Sequence, residues 1–294
     1  MAAADGTYSL RPTGNLRRRR VVNRLMEGLA TAAALLAVAL LGLVVFSVAR
    51  RGAGALTLDF FTKSPAAFGE AGGGIAPAIV GSGILVAVAT AMALPLGVLI
   101  ALYITEFAPA RVGSGVQLLL DLLNGLPSIV IGVFVFGLLV VGHQQSSYAG
   151  SFALAVIMLP LVARSTQEVL RLVPRSLREG ALALGISRWR MVLGVVLPSS
   201  LGGILTGTVL AVARAAGETA PLLFTTSIFA NAVTTNVSQA LPNIPVTIFT
   251  LSESPDPADH RRAWAAGLVL MGFVLVTSLA ARALLARSRR KLAR

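Results

Sequence analysis

The chain has 294 residues, of which 55% are hydrophobic and only 13% charged, with a formal net charge of +13 and no cysteine. A soluble domain carries about 25% charged residues, and the mean hydropathy here is +0.81, so composition excludes an ordinary soluble enzyme and points to an all-α polytopic membrane protein. The missing cysteine excludes disulfides and thiolate metal sites.

Residues 1–24 read as a basic tail containing Arg11, Arg17 to Arg20 and Arg24. Residues 25–294 read as one transmembrane domain with six predicted spans. The first covers about Gly28–Ala49. Its apolar run is too long for a secretory signal, and Arg50-Arg51 follows without a small-residue cleavage pattern, which makes it a retained anchor. Gly52 to Glu70 reads as an external segment leading to a Gly72-Gly73-Gly74 turn. The second span takes most of Gly74–Ile104, with a kink expected at Pro95. Glu106 to Pro109 and Arg111 make a short turn.

The third span is predicted over about Leu118–Val141 and the fourth over about Tyr148–Val162, joined by the polar hairpin Gly142–Ser147. A loop, residues 164–200, follows. The fifth span is predicted over about Leu201–Phe229, Asn231 to Arg262 reads as external, and the sixth span covers about Ala263–Leu285.

The charge is distributed by side. One cationic group precedes the first span. Arg164, Arg171, Arg175, Arg178, Arg188 and Arg190 occupy the long loop, and Arg282, Arg287, Arg289, Arg290, Lys291 and Arg294 close the chain. With six spans these groups fall on one side. The positive-inside bias then places both termini and the loop in the cytoplasm of a cell whose plasma membrane the chain crosses. Basic residues at span ends are accounted for by insertion, which argues against nucleic acid as a partner.

Within that loop, Glu179-Gly-Ala-Leu-Ala-Leu-Gly185 reads as a short helix ended by a glycine that adopts positive φ at no steric cost. Ser187 is placed to N-cap the next helical piece, which runs through Trp189, Met191 and Val195 toward Leu197-Pro198. The pattern resembles the Glu-Ala-Ala loop of ATP-binding-cassette importer permeases, with Gly180 where that family usually has alanine. The resemblance implies a coupling loop, with Glu179, Gly180, Ala181 and Gly185 facing an ATPase subunit.

The fifth span carries the clearest chemical anomaly, Arg214 and Glu218 inside an apolar run. At 1.5 Å per residue, Arg214 lies roughly 20 Å from a start near Leu201, past the middle of a core about 30 Å thick. The i,i+4 spacing stacks both charges on one helical face, which continues through Ala211, Gly207 and Gly203. A ladder of small residues is expected against protein or a pore rather than lipid. Two readings follow: an ionisable pair on a translocation pathway, or an internal ion pair that neutralises two buried groups.

Arg214–Leu222, Arg-Ala-Ala-Gly-Glu-Thr-Ala-Pro-Leu, closely resembles the fifth-span motif of PstA-type permeases of phosphate-specific importers. Leu123–Val130, Tyr103–Pro109 and Leu241–Phe249 are similar to the same family. The sister PstC-type permeases more often read Gly-Glu-Thr-Met at this point. The resemblance spans roughly residues 72–285 and implies the type I importer permease fold. It also implies assembly with a PstC-type permease, two copies of an ATP-binding subunit and an extracytoplasmic phosphate-binding protein, with inorganic phosphate as cargo. The chain has no Gly-x-x-x-x-Gly-Lys-[Ser/Thr] phosphate loop and so is not itself the ATPase. It is expected to be a transport subunit rather than an enzyme, without a cofactor.

Asp121, Asn124 and Ser128, at the start of the third span, are candidate gate residues or, equally, helix caps. His143 and His260 are isolated and give no metal site. Two rival functions stay open: a permease for another oxyanion such as molybdate or sulfate, and a channel that needs no ATPase.

Overall fold

The computed structural model describes residues 14–66, 72–228 and 232–292. Residues 1–13 of the basic tail, Glu70 at the end of the first external segment, and Phe229 and Asn231 at the end of the fifth span lie outside the described residues. Among those described, the chain is helical without a strand. It divides into two units, residues 1–50 and residues 51–294.

The first unit is built on α1 (Gly14–Gly52). The arginines at 17–20 are its opening turns, so basic stretch and apolar stretch form one helix. The second unit starts with α2 (Leu58–Thr62) and α3 (Ala76–Leu102), which ends in a π-helical turn at Tyr103–Phe107. Next come α4 (Ala110–Gly125) and α5 (Ser128–Val135), the latter ending in a π turn at Phe136–Val140. They are followed by α6 (Ser147–Leu172) and α7 (Arg175–Ala183). After these, α8 (Arg188–Met191) runs through a third π turn, Val192–Val196, into α9 (Leu197–Ala215). Last come α10 (Ala220–Thr225), α11 (Ile244–Glu253) and α12 (Pro257–Leu292).

Among the described residues, five helical runs are long and apolar enough to cross a membrane: α1, α3, α6, α8–α9 and α12. A sixth span results if α4 and α5 count as one, bent by 97°. The six-span expectation stands, with four corrections.

The third span is broken. Gly125 is the last helical residue of α4, and Leu126 and Pro127 are extended, with ψ near 134°. A residue before proline is pushed out of the α region, and proline cannot donate to a preceding turn. The fourth span is longer than expected. It continues through Arg164 and Ser165 to Leu172, leaving only residues 173–187 as loop and α7. The fifth span begins at Arg188 and stops at Ala215, and residues 216–219 separate it from α10, whose first turn holds Pro221.

The fourth correction is α11, an apolar helix inside the segment expected to be external. Its signature is Asn243, whose side chain accepts from the Val246 N–H, followed by Pro245 in the first turn. Pro95 and Pro160, by contrast, lie inside continuous helices.

The core is α3 on α6. Leu85, Ala89, Ala93 and Gly97 recur every fourth residue on α3 and meet Leu154, Met158 and Val162. Small residues let the backbones close, which is how helices associate where there is no hydrophobic gain against lipid. A Cβ on Gly97 would stand 2.9 Å from Val162. The ladder on α9 faces α6 in the same way: Gly203 abuts Val169, Gly207 abuts Ser165, and Ala211 is buried.

Candidate functional site

The two broken helices meet each other. A Cβ on Gly132 of α5 would come within 2.7 Å of the Pro221 Cα of α10, and Phe136 and Phe224 pack edge to face at 6.4 Å. Gln145, in the polar hairpin, fixes the end of α10 by donating to the Phe224 carbonyl and accepting from the Ser227 N–H. Thr226 then exchanges hydrogen bonds with the backbone of Leu241. Both breaks are therefore held in register by backbone contact and buried polar bonds.

A cavity of about 200 Å³ lies at the breaks. Leu123, Asn124, Leu126, Pro127, Ser128 and Ile131 line it from the α4–α5 side, Ile157 from α6, and Arg214 and Glu218 from the end of α9. Arg214 and Glu218 do not share a continuous helical face as their spacing suggested. Arg214 is in the last turn of α9, and Glu218 lies beyond its end, where its N–H bonds to the Ala215 carbonyl. The chain turns after the small-residue ladder, which stays packed on α6, and delivers the two charges to the cavity.

The pair is loose. Arg214 Nε is 3.7 Å from Glu218 Oε1, with side chains 53% and 16% exposed. Among the described residues neither side chain makes a hydrogen bond, so the donors of the guanidinium are free to take a ligand.

The three candidate gate residues separate. They sit around a helix break rather than at the start of a span. Asn124 and Ser128 line the cavity, but Asp121 does not. Asp121 is paired with Arg164 and also accepts from Gln117, which ties α4 to α6. The pairing with Arg164 was concealed by sequence distance. His260 lies 2.8 Å from the Ser254 carbonyl through Nε2.

The loop residues also divide. Gly185 has φ +78°, its N–H bonds to the Leu182 carbonyl, and the Ile186 N–H reaches the Ala181 carbonyl. That is the double bond of a Schellman helix end, as the glycine implied. Ser187 occupies the N-cap position of α8, but its side chain makes no cap bond. Glu179 and Gly180 are open, with nothing within 4 Å of the position a Cβ on Gly180 would take. Ala181 differs: it is buried against this chain's own Leu102, Leu170, Val173 and Met191, so its small size serves internal packing rather than an outward face.

Sequence reasoning missed one buried pair. Glu106, 5% exposed in the π turn after α3, accepts from Arg178 of α7 at 2.9 and 3.2 Å. A glutamate ending an apolar span was a visible signal, but nothing selected Arg178 among the many arginines of the loop.

Residues 93–290 match the family described as binding-protein-dependent transport system inner membrane component. The chain is 39% identical over 273 residues to the phosphate transport system permease protein PstA of Yersinia pestis, covering 92% of each. It is 42% identical over 200 residues to the probable phosphate transport system permease protein PstA of Methanocaldococcus jannaschii, covering 68% of this chain and 71% of that one. Among solved structures, a bacterial alginate ABC transporter is similar with a TM-score of 0.59 at 16% identity, covering 90% of this chain and 95% of that chain. The MetNI methionine ABC transporter reaches 0.56 at 16% identity, covering 73% and 94%. These structural likenesses show the fold, that of ABC importer permeases. With two breaks meeting at a charged cavity and relatives matched along nearly its whole length, the chain belongs to the binding-protein-dependent transport system inner membrane components and, among them, to the PstA-type permeases.

Proposed function

We propose that this chain is the membrane-spanning permease subunit of an ATP-driven importer of inorganic phosphate and supplies half of the translocation pathway. In this reading it pairs with a PstC-type permease, two copies of an ATP-binding subunit and an extracytoplasmic phosphate-binding protein. Both termini and the loop around α7 face the cytoplasm. The exposed loop residues Glu179 and Gly180, with Leu182 and Leu184 beside them, form the surface offered to the ATPase. The exposed apolar side chains of α4 and α5, Leu118, Leu122, Val130 and Phe134 among them, suit the second permease.

The observation that carries the reading is the loose Arg214–Glu218 pair in the cavity at the two breaks. Phosphate at neutral pH is a monovalent or divalent anion, and moving it alone into a low-dielectric region costs many kcal/mol. A guanidinium offsets that cost with paired hydrogen bonds matched to phosphate oxygens. The first turn of α5 borders the same space, and a helix N-terminus adds roughly half a positive charge. Tight capture would trap the ion. Glu218 competes for Arg214 between cycles, and a separation of 3.7 Å without a hydrogen bond suits a partner that is displaced.

The test is Arg214→Gln in the assembled importer. Phosphate uptake is expected to vanish while subunit assembly and ATP hydrolysis persist. Uptake that survives, or assembly lost with it, makes the pair structural. Competition by molybdate or sulfate against labelled phosphate, measured with the wild type, separates phosphate from the other oxyanions.

A further inference from the structure

The geometry points to Arg178 as a positioning residue. Through Glu106 it fastens the α7 loop to the end of α3, so that displacement of the loop is handed directly to the second span.

One guanidinium serves three segments. Its Nε and Nη2 donate to Glu106 Oε1 at 3.2 and 2.9 Å, Nη1 donates to the Val173 carbonyl at 2.7 Å, and Nη2 donates to the Leu170 carbonyl at 2.7 Å. Leu170 and Val173 are at the C-terminus of α6, where carbonyls lack helical partners and a cation is favoured. Arg178 thus closes the end of α6, roots α7, and reaches the π turn that ends α3.

The other limb of the loop grips the neighbouring residue. Arg188, which opens α8, stacks over the Phe107 ring at 5.6 Å. Two arginines, one from each side of the Gly185 turn, therefore hold the consecutive residues Glu106 and Phe107. Beneath them Leu102, Val192 and Val196 share one apolar cluster, which brings the end of α3 against the π turn between α8 and α9. π turns interrupt the regular helical ladder and recur at functional sites. Here two of them flank the joint, and the rigid stripe of α3 on α6 begins immediately beyond it.

Without this joint, a push on α7 would reach the end of α3 only through the apolar packing around Ala181 and through its chain connections to α6 and α8. With it, the push reaches α3, whose packing on α6 bears on the cavity from behind. The inference rests on the proposal that the loop docks on the ATPase.

The experiment uses the whole importer reconstituted in vesicles, with Glu106→Gln, which keeps shape and removes charge, and Arg178→Lys, which keeps charge and loses the fork. Measured are subunit content, basal ATP hydrolysis, its stimulation by the phosphate-loaded binding protein, and phosphate taken up per ATP. Both variants are expected to assemble and hydrolyse ATP, with uptake per ATP lowered about tenfold, the size of an ordinary coupling free energy. Arg178→Lys, keeping one ionic contact, is expected to be the milder.

Unchanged uptake per ATP in both variants overturns the inference. So does a proportional fall of assembly, hydrolysis and uptake together, which marks a merely structural pair. A wild-type complex in which the ATP-binding subunit does not need the loop would instead sink the docking proposal, and that control is read before either variant.

Discussion

Among the described residues, two Arg–Glu pairs of the same chemistry stand in opposite surroundings. At the cavity, Arg214 and Glu218 stand 3.7 Å apart, and the arginine is half exposed with no hydrogen bond among the described residues. At the root of α7, Arg178 and Glu106 are 18% and 5% exposed, and the guanidinium makes four hydrogen bonds. What distinguishes an anchor from an exchangeable contact is the number of fixed acceptors around the guanidinium, and both the residue types and the net charge are the same. An anion has little to offer Arg178, whose donors are committed to carbonyls, and much to offer Arg214.

The largest expected difference is in stability. Arg178→Met leaves the Glu106 carboxylate buried without its partner and reopens two carbonyls at the end of α6. Breaking a buried pair from one side costs about 3–5 kcal/mol. Arg214→Met removes a half-exposed partner that stands 3.7 Å from Glu218 without a hydrogen bond, a contact worth about 0–1 kcal/mol. Thermal unfolding of the detergent-solubilised protein is expected to show a clear drop for the first and almost none for the second. Equal drops would erase the distinction between the pairs.

A smaller effect is expected at the tip of the anchored loop. Gly185 has φ +78° and no atom within 4 Å of the position a Cβ would take. Gly185→Leu therefore meets no clash and pays only for the left-handed backbone, about 1–2 kcal/mol. The chain is expected to insert in the membrane normally, with the root of α7 still held by Arg178. The ATP-binding subunit should copurify in smaller amounts, because the exposed turn is displaced. Gly185→Asn, which tolerates this conformation better, should retain more of it. Normal copurification with the leucine variant would leave the turn without a docking role.

The helices were legible where apolar length alone decides. They were misread where one backbone residue overrides a run of apolar side chains. Leu126-Pro127 lies between Asn124-Gly125 and Ser128 in a stretch whose mean hydropathy is still that of one span, so hydropathy passes through the 97° bend at the proline. Gly217 and Pro221 did the same to the fifth span. Conversely, polar residues extended a helix past its expected end: Arg164, Ser165, Thr166 and Gln167 continue α6, because the last two are buried against protein rather than placed in water.

The cavity charges stood out because ionisable groups are rare in such a span. Their facing was misjudged for the same reason the break was, since i,i+4 stacking presumes a helix that has already ended. Glu106 and Arg178 are 72 positions apart, and no local pattern links them. Only the packing of α3, α6 and α7 does.

Glu218→Gln tests the cavity side of the comparison at its finest. The substitution keeps the shape of the side chain and removes the charge that competes for Arg214. With the competitor neutral, the guanidinium holds an incoming anion longer, so release slows and the maximal rate of uptake falls. Because a contact at 3.7 Å with a half-exposed arginine and no hydrogen bond contributes about 0–1 kcal/mol, the fall is expected to be about fivefold or less. That is far milder than the loss expected for Arg214→Gln, since the guanidinium proposed to meet the anion is still present. ATP hydrolysis stimulated by the loaded binding protein should continue, which makes the defect one of ion release rather than of coupling. A loss as complete as that of Arg214→Gln would mean that the two side chains act as one unit, with the carboxylate required to position the guanidinium. An uptake rate identical to wild type would mean that Glu218 does not compete at all, and that the 3.7 Å approach is only proximity at the end of a helix.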